Sequence, residues 1–369
     1  MKSSFVVPPS FSAPASSIPD WWVSEFKPIE RFLKTKIKKG KLQTFGKSAD
    51  GHSLYAVTYG KPRRAGGTTT YSGSVGCGKI EAYRGPDAKK RVAVVLAGLH
   101  GGEFEPIVGA VNLLSILETG KDLRGKPAPQ LLKVFKAVDR LIVIPVYSPD
   151  SRLRIPLRMM AFTGTDSTVA SYLNTGATKK GLIGWPQVKE WIPLDFKKCK
   201  FPGGYPNGNG VNLQHDDFFS PNRQPETEAL FKLMSLEKPN LVLNLHSGVP
   251  MDDYYMKVHK PQADPSVYPV WESFFRHVHT GLARAGLQST RDPRLEADPS
   301  KSVAGCFNLD TALNYHCGAL SSVVESPSHS YTGYSRSGQL VPMSLEALLD
   351  AQLILYTESF RFLKQSISR

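Results

Sequence analysis

A chain of 369 residues, 41% hydrophobic and 21% charged, is long enough for one large core or two modest ones and too apolar to be disordered. None of its apolar runs reaches the length of a bilayer span, which excludes an integral membrane helix. The formal charge of +14 suits an anionic partner in general, but the lysines are dispersed except in KTKIKKGK (34–41) and KKCK (197–200), and neither run carries interleaved aromatics. A solvated basic face is therefore expected rather than nucleic-acid binding or a membrane partner.

The N-terminus, MKSSFVVPPSFSAPASSIPDWW, has one early lysine and a short apolar patch broken by prolines, a poor secretory leader. Residues 1–40 are expected to form a surface arm and lead-in, residues 41–369 one folded domain, and a cytoplasmic location is the default. Cys77, Cys199, Cys306 and Cys317 are scattered without a C-x-x-C pair and are expected to be free thiols. KLQTFGKS and HSLYAVTYGK read as extended segments around a turn at Gly51. GSVGCGKI (73–80) matches the phosphate-loop spacing, but Ile80 replaces the magnesium-binding hydroxyl and no apolar strand precedes it, so a surface hairpin is expected.

Arg91 to Ala97 is an apolar strand, and Ile107, Val111, Leu114 and Leu117 recur at helical spacing after it. LIVIPVY (141–147) is a second buried strand. Residues 160–210, rich in Gly, Thr, Asn and Pro, predict a long elaborated loop. A helix starts after Pro225, with an acidic first turn that complements the helix dipole. NLVLNLH (240–246) is the next strand, followed by a helix near 269–286, the strand LSSVVES (320–326) and a helix over 344–363. Alternation of this kind predicts a single-domain α/β fold with a mixed, largely parallel central sheet flanked by helices. In such sheets functional groups gather beyond the carboxyl ends of the strands.

Three strands end in groups that bind metal or move protons. VAVVLAGLHGGE ends in His100 and Glu103, NLVLNLHS in His246, and LSSVVES in Glu325. Two histidines and one glutamate match a catalytic zinc site, which takes three protein ligands and leaves the fourth position for water. Gly101 and Gly102 are expected to let the loop curl so that His100 and Glu103 face one ion. Glu325 is then free to take a proton from the water.

On these residues the chain resembles the M14 zinc carboxypeptidases. Further stretches are similar over about residues 45–365: FGKSADGHSLYAVTYGK (45–61), with His52 where arginine is usual; IPVYSPDSR (144–152), in place of an Asn-Pro-Asp-Gly turn; and GVNLQHDDFF (210–219) followed by PETEAL (225–230). The resemblance implies one zinc ion held by His100, Glu103 and His246, with Glu325 as general base. It implies a metallocarboxypeptidase that releases the C-terminal residue of a peptide.

Departures from the family pattern fall on the substrate side. Gln214 and His215 stand where the family has the Asn-Arg pair that holds a terminal carboxylate. Tyr205 stands where an arginine supports the oxyanion, and Asn212 where an aspartate orients the first zinc histidine. No tyrosine matches the family's mobile one; Tyr315 lies closer to Glu325. Losing a bidentate arginine removes a positive fork matched to carboxylates. Arg152, Arg154 and Arg158 are candidates to restore the charge, Arg154 and Arg158 as substrate contacts. His316 and His329 flank the Glu325 strand and are read as structural, and Asp216 and Asp217 as local caps. Two alternatives stay open: an N-acyl amino acid deacylase using the same zinc set, similar to aspartoacylase and succinylglutamate desuccinylase, and a zinc-containing protein that binds peptides without cleaving them.

Overall fold

In the computed structural model, residues 5, 7–12, 18–159, 167–216, 219–248, 254–328, 332–335 and 337–366 are described. Asp217 and His329 lie outside them. Seven strands form one sheet: β1 (Lys41–Lys47), β2 (Ser53–Gly60), β3 (Val92–Leu96), β4 (Arg140–Ile144), β5 (Leu241–Ser247), β6 (Lys257–Val258) and β7 (Leu320–Ser326). Their order across the sheet is β1-β2-β4-β3-β5-β7-β6. The four central strands run parallel, and β1, β2 and β6 pair antiparallel at the edges.

Parallel strands buried on both faces need apolar side chains throughout. Alternate residues of β3 meet that need on opposite sides. Ala93 and Val95 join the core under α1 (Phe26–Lys36), α2 (Phe104–Thr119), α4 (Tyr268–Arg284) and α6 (Leu345–Ser366). Val92, Val94 and Leu96 join the core under α3 (Pro225–Glu237) and α5 (Asn308–Cys317). The fold is the three-layer α/β arrangement expected from the sequence.

Three expectations change. Trp22, Phe26, Ile29 and Leu33, expected in an arm and lead-in, are buried in the first core; α1 carries the last three at helical spacing against α2, and Trp22 precedes the helix. GSVGCGKI is not a hairpin: Tyr71–Gly76 and Ile80–Arg84 are short helices, the first capped by the Thr70 side chain on the Gly73 amide. The loop region 160–210 contains a helix, Ser167–Asn174, and a three-stranded sheet whose strands are two or three residues long. Segments that short carry no readable periodicity.

Glu118, in the last turn of α2, ties the entry of β1 to this frame. Its carboxylate accepts the amides of Lys38, Lys39 and Gly40 at 2.8, 2.7 and 2.9 Å and the Tyr59 hydroxyl at 2.7 Å. Burial opposes its charge, but the amides and the phenol outweigh burial and hold the carboxyl below its ordinary 4.5. The stabilisation is therefore present above pH 4.5 and lost as the pH falls through the lower folded value. Glu118→Gln is expected to cost about 2 kcal/mol near neutrality, since an amide offers a donor where only acceptors fit. In denaturant titrations the gap to wild type should close as the pH drops below 4.5.

Candidate metal centre

The strand ends converge because the parallel register is in step. Glu325 on β7 pairs directly with His246 on β5, and Leu96 at the end of β3 pairs with Asn244. The chain then leaves β3 through Gly98, whose φ of 64° and close approach to Val146 exclude a side chain. His100 follows, and Glu103 immediately precedes α2.

Gly101 and Gly102 serve a different purpose from the curl expected of them. Neither has a positive φ. A Cβ on Gly101 would lie 2.3 Å from the Ser151 backbone, and one on Gly102 would lie 2.8 Å from Asn174 Oδ1. The Gly101 amide also donates to Gly204 O at 2.7 Å. Gly101 lets the Ser151 and Gly204 backbones pass against its own, Gly102 leaves room for the Asn174 side chain, and that packing sets the path of the chain between His100 and Glu103.

Both histidines direct Nδ1 at Glu103. His100 Nδ1 lies 2.8 Å from Oε1, and His246 Nδ1 lies 3.0 Å from Oε2. The ligand atoms of the three residues lie within 4.8 Å of one another, all buried. Glu103 also accepts the Ser247 amide at 3.2 Å, while Ser247 Oγ donates to Glu105 Oε2 at 2.7 Å, which docks the end of β5 on the start of α2. Burial opposes the Glu103 charge, but the His100 and His246 imidazoles overcome it and hold the carboxyl down to about 2. Two imidazole nitrogens and an ionised carboxylate, facing one point, fit a divalent metal of the zinc type.

The opposite ring nitrogens are occupied, which orients both imidazoles. His100 Nε2 meets Asn212 Oδ1 at 3.0 Å. His246 Nε2 meets Gln214 Oε1 and Asn244 Oδ1, each at 3.1 Å. Gln214 Nε2 and Asn244 Nδ2 both donate to Asp310 Oδ2 at 2.8 Å. Sequence reasoning missed Asn244 and Asp310. Asn244 had a signal, a polar residue two positions before His246 on the same face of an apolar strand.

Beside the cluster lies a pocket of about 30 Å³, enough for a water, lined by His100, Glu103, Tyr205, His246 and Glu325. Burial disfavours the Glu325 carboxylate, yet His259, with Nε2 3.3 Å from Oε1, and then His246 hold it below the ordinary range. His259, just after the edge strand β6, is a third residue the sequence did not reveal. Tyr205 lies with its ring 3.9 Å from the His100 ring. Burial, then Glu103 and Glu325, raise its hydroxyl well above the usual range, so it remains a donor.

Gln214 and His215 also line the pocket. Burial, then Lys189, lower His215 to about 4, leaving it neutral at physiological pH. The arginines do not reach this site. Arg154 donates to the carbonyls of Gly203, Pro206 and Asn207, which bind its guanidinium beneath the loop. Arg158 faces Glu25 and Trp22 O on the N-terminal segment. Arg152 is buried against Ser24 O and Ile155 O. All three brace backbone rather than supply charge to the cleft. Tyr315 is 50% exposed on α5 and does not line the pocket. Asp216 accepts the Gln224 amide at 2.8 Å, a local capping contact.

Asn212→Ala and Gln214→Ala remove the contacts that orient the rings without removing a ligand. Each is expected to weaken metal affinity by roughly 10- to 100-fold while the fold is kept. Competition titration against a chromophoric chelator measures this, and circular dichroism checks the fold.

No protein-family model matches the chain, and no curated protein matches its sequence. Among solved structures it is similar to a metallo-carboxypeptidase from Burkholderia cenocepacia, with a TM-score of 0.54 and 13% identity over 95% of this chain and 70% of the other. It is also similar to carboxypeptidase A from Helicoverpa armigera, with a TM-score of 0.52 and 14% identity over 97% and 78%. A third likeness is to bovine thrombin-activatable fibrinolysis inhibitor, solved with tick carboxypeptidase inhibitor, at 0.50 and 11% over 95% and 99%. At these identities the likeness is one of architecture, and the chain has the fold of the metallocarboxypeptidases.

Proposed function

We propose that the chain is a zinc-dependent amide hydrolase that releases the C-terminal residue of a peptide. The observation that carries this reading is the convergence of two Nδ1 atoms and the Glu103 carboxylate beside a water-sized pocket lined by an ionised Glu325. When bound there by His100, Glu103 and His246, zinc would supply the Lewis acidity that polarises a scissile carbonyl and acidifies a water. Glu325 takes the proton from the attacking water and delivers it to the leaving amine. His259 engages one carboxylate oxygen, which leaves the other for the proton. The Tyr205 hydroxyl donates to the oxyanion as it develops.

Lys189 takes the part of the missing arginine. Its ammonium lies 4.4 Å from the Trp185 ring and 5.8 Å from the Phe307 ring, and both rings line the pocket. It makes no ion pair among the described residues, and neutral His215 beside it can donate a hydrogen bond but not a charge. A substrate carboxylate would sit between Lys189 and His215. The narrowness of the pocket favours a second reading, with a small N-acyl amino acid as substrate, in which the same residues act in the same order.

Hydrolysis of a peptide panel and of N-acyl amino acids, measured with metal content, tests these readings. Glu325→Ala should keep its metal and lose roughly 10²- to 10⁴-fold in kcat. Lys189→Ala should raise KM for substrates with a free carboxylate, with kcat little changed, and leave amidated substrates as poor as they are for wild type. Metal bound without turnover of either class would contradict both hydrolase readings and favour a binding protein.

A further inference from the structure

A second and larger cleft, about 820 Å³, lies at the other end of the sheet. Register places it there: Gly60 pairs with Arg140 at the start of β4, Lys41 pairs with Thr58 near the end of β2, and Lys238 precedes β5. Eight lysines and arginines line it against a single carboxylate, Glu237. Arg140 is neutralised by Glu237 at 3.0 Å, and Arg64 by Asp87 at 2.9 Å. The other six have no ion-pair partner among the described residues.

Three of those six are fixed in the wall. Arg63 is buried and donates to the carbonyls of Lys238, Asp87 and Lys90 and to Asn240 Oδ1, so its guanidinium braces backbone. Arg84 Nε is buried with no hydrogen-bond partner. Lys238 Nζ donates to Tyr83 O at 2.5 Å. Burial and then Arg84 bring Arg63 down to about 10 against partial support from Asp87 and Asp139, and burial and then Arg63 lower Lys238. The remaining three, Lys39, Lys41 and Lys61, are exposed at the rim. Two of them belong to the lysine-rich run at 34–41, and Glu118 holds the backbone of that turn.

We propose that this cleft binds a small molecule or headgroup carrying two or more phosphate groups. Its volume is that of a small-molecule site. Three separated lysine amines at the rim, Lys39, Lys41 and Lys61, above a wall with a single lining carboxylate, suit several phosphates rather than one. No aromatic ring lines the cleft, so nucleic-acid bases have nothing to stack on.

Calorimetric titration with tripolyphosphate and with orthophosphate tests the proposal on the full chain, without reference to hydrolysis. Wild type should bind tripolyphosphate, orthophosphate much more weakly, and both less tightly as salt rises. The triple variant Lys39→Ala, Lys41→Ala, Lys61→Ala removes only exposed side chains, so its unliganded melting temperature should match wild type. Its tripolyphosphate affinity should fall by about tenfold or more. Co-sedimentation with phosphatidylcholine vesicles carrying a doubly phosphorylated inositol lipid separates the sources. Vesicle binding that tripolyphosphate competes away assigns a headgroup, and binding of the free compound alone assigns a soluble ligand. Failure of wild type in both arms, or equal binding by the triple variant, would overturn the proposal.

Discussion

Glu103 is buried, ionised and without a lysine or arginine partner among the described residues. An uncompensated buried carboxylate costs several kcal/mol, so something must hold its charge. Here two imidazoles from different strands and the Ser247 amide share that task, and their convergence requires β3 and β5 to be adjacent and in parallel register. The same register sets Glu325 on β7 beside His246. Placing this one charge thus constrains the order of three strands, the start of α2 and the close backbone packing at Gly101 and Gly102.

A divalent ion at the two Nδ1 atoms would take over the compensation of the Glu103 charge. With such an ion bound, the surrounding hydrogen bonds suit neutral rings that coordinate through Nδ1; without it, each Nδ1 donates to the carboxylate, and against burial Glu103 raises His246. Asn212, Gln214 and Asn244 all present oxygen to Nε2, which fixes the proton there. Asp310 organises two of these amides, so a carboxylate on α5 acts on His246 through two amides rather than one direct bond. Where a negatively charged group orients a ligand histidine, the ring becomes more basic. With the neutral Asn212 that effect is absent, and the contact sets orientation alone.

Much of the fold and part of the site were legible in the sequence, for physical reasons that differ by residue. His100, Glu103, His246 and Glu325 could be found because each ends an apolar run, and a strand buried on both faces has an unmistakable composition. Lys189 and His259 could not, because one sits in a three-residue helical turn and the other beside a two-residue strand, where spacing carries no information. The arginines after Pro149 misled because their number and proximity suggested a charged cleft. Sequence does not show that backbone carbonyls would claim Arg152 and Arg154. Gly101 and Gly102 were correctly singled out, but for a conformational reason when the operative one is close approach. The basic residues of the opposite cleft come from five separate segments, so they looked dispersed until the register gathered them.

The central claim is that two Nδ1 atoms and one carboxylate form a metal site. Diffraction from crystals of the zinc-loaded protein, collected across the zinc absorption edge, tests it most directly. One anomalous peak per chain is expected, in contact with His100 Nδ1, His246 Nδ1 and the Glu103 carboxylate, with Glu325 outside the coordination shell. Zinc absent from that position, or bound through Nε2 of either histidine, would contradict the account.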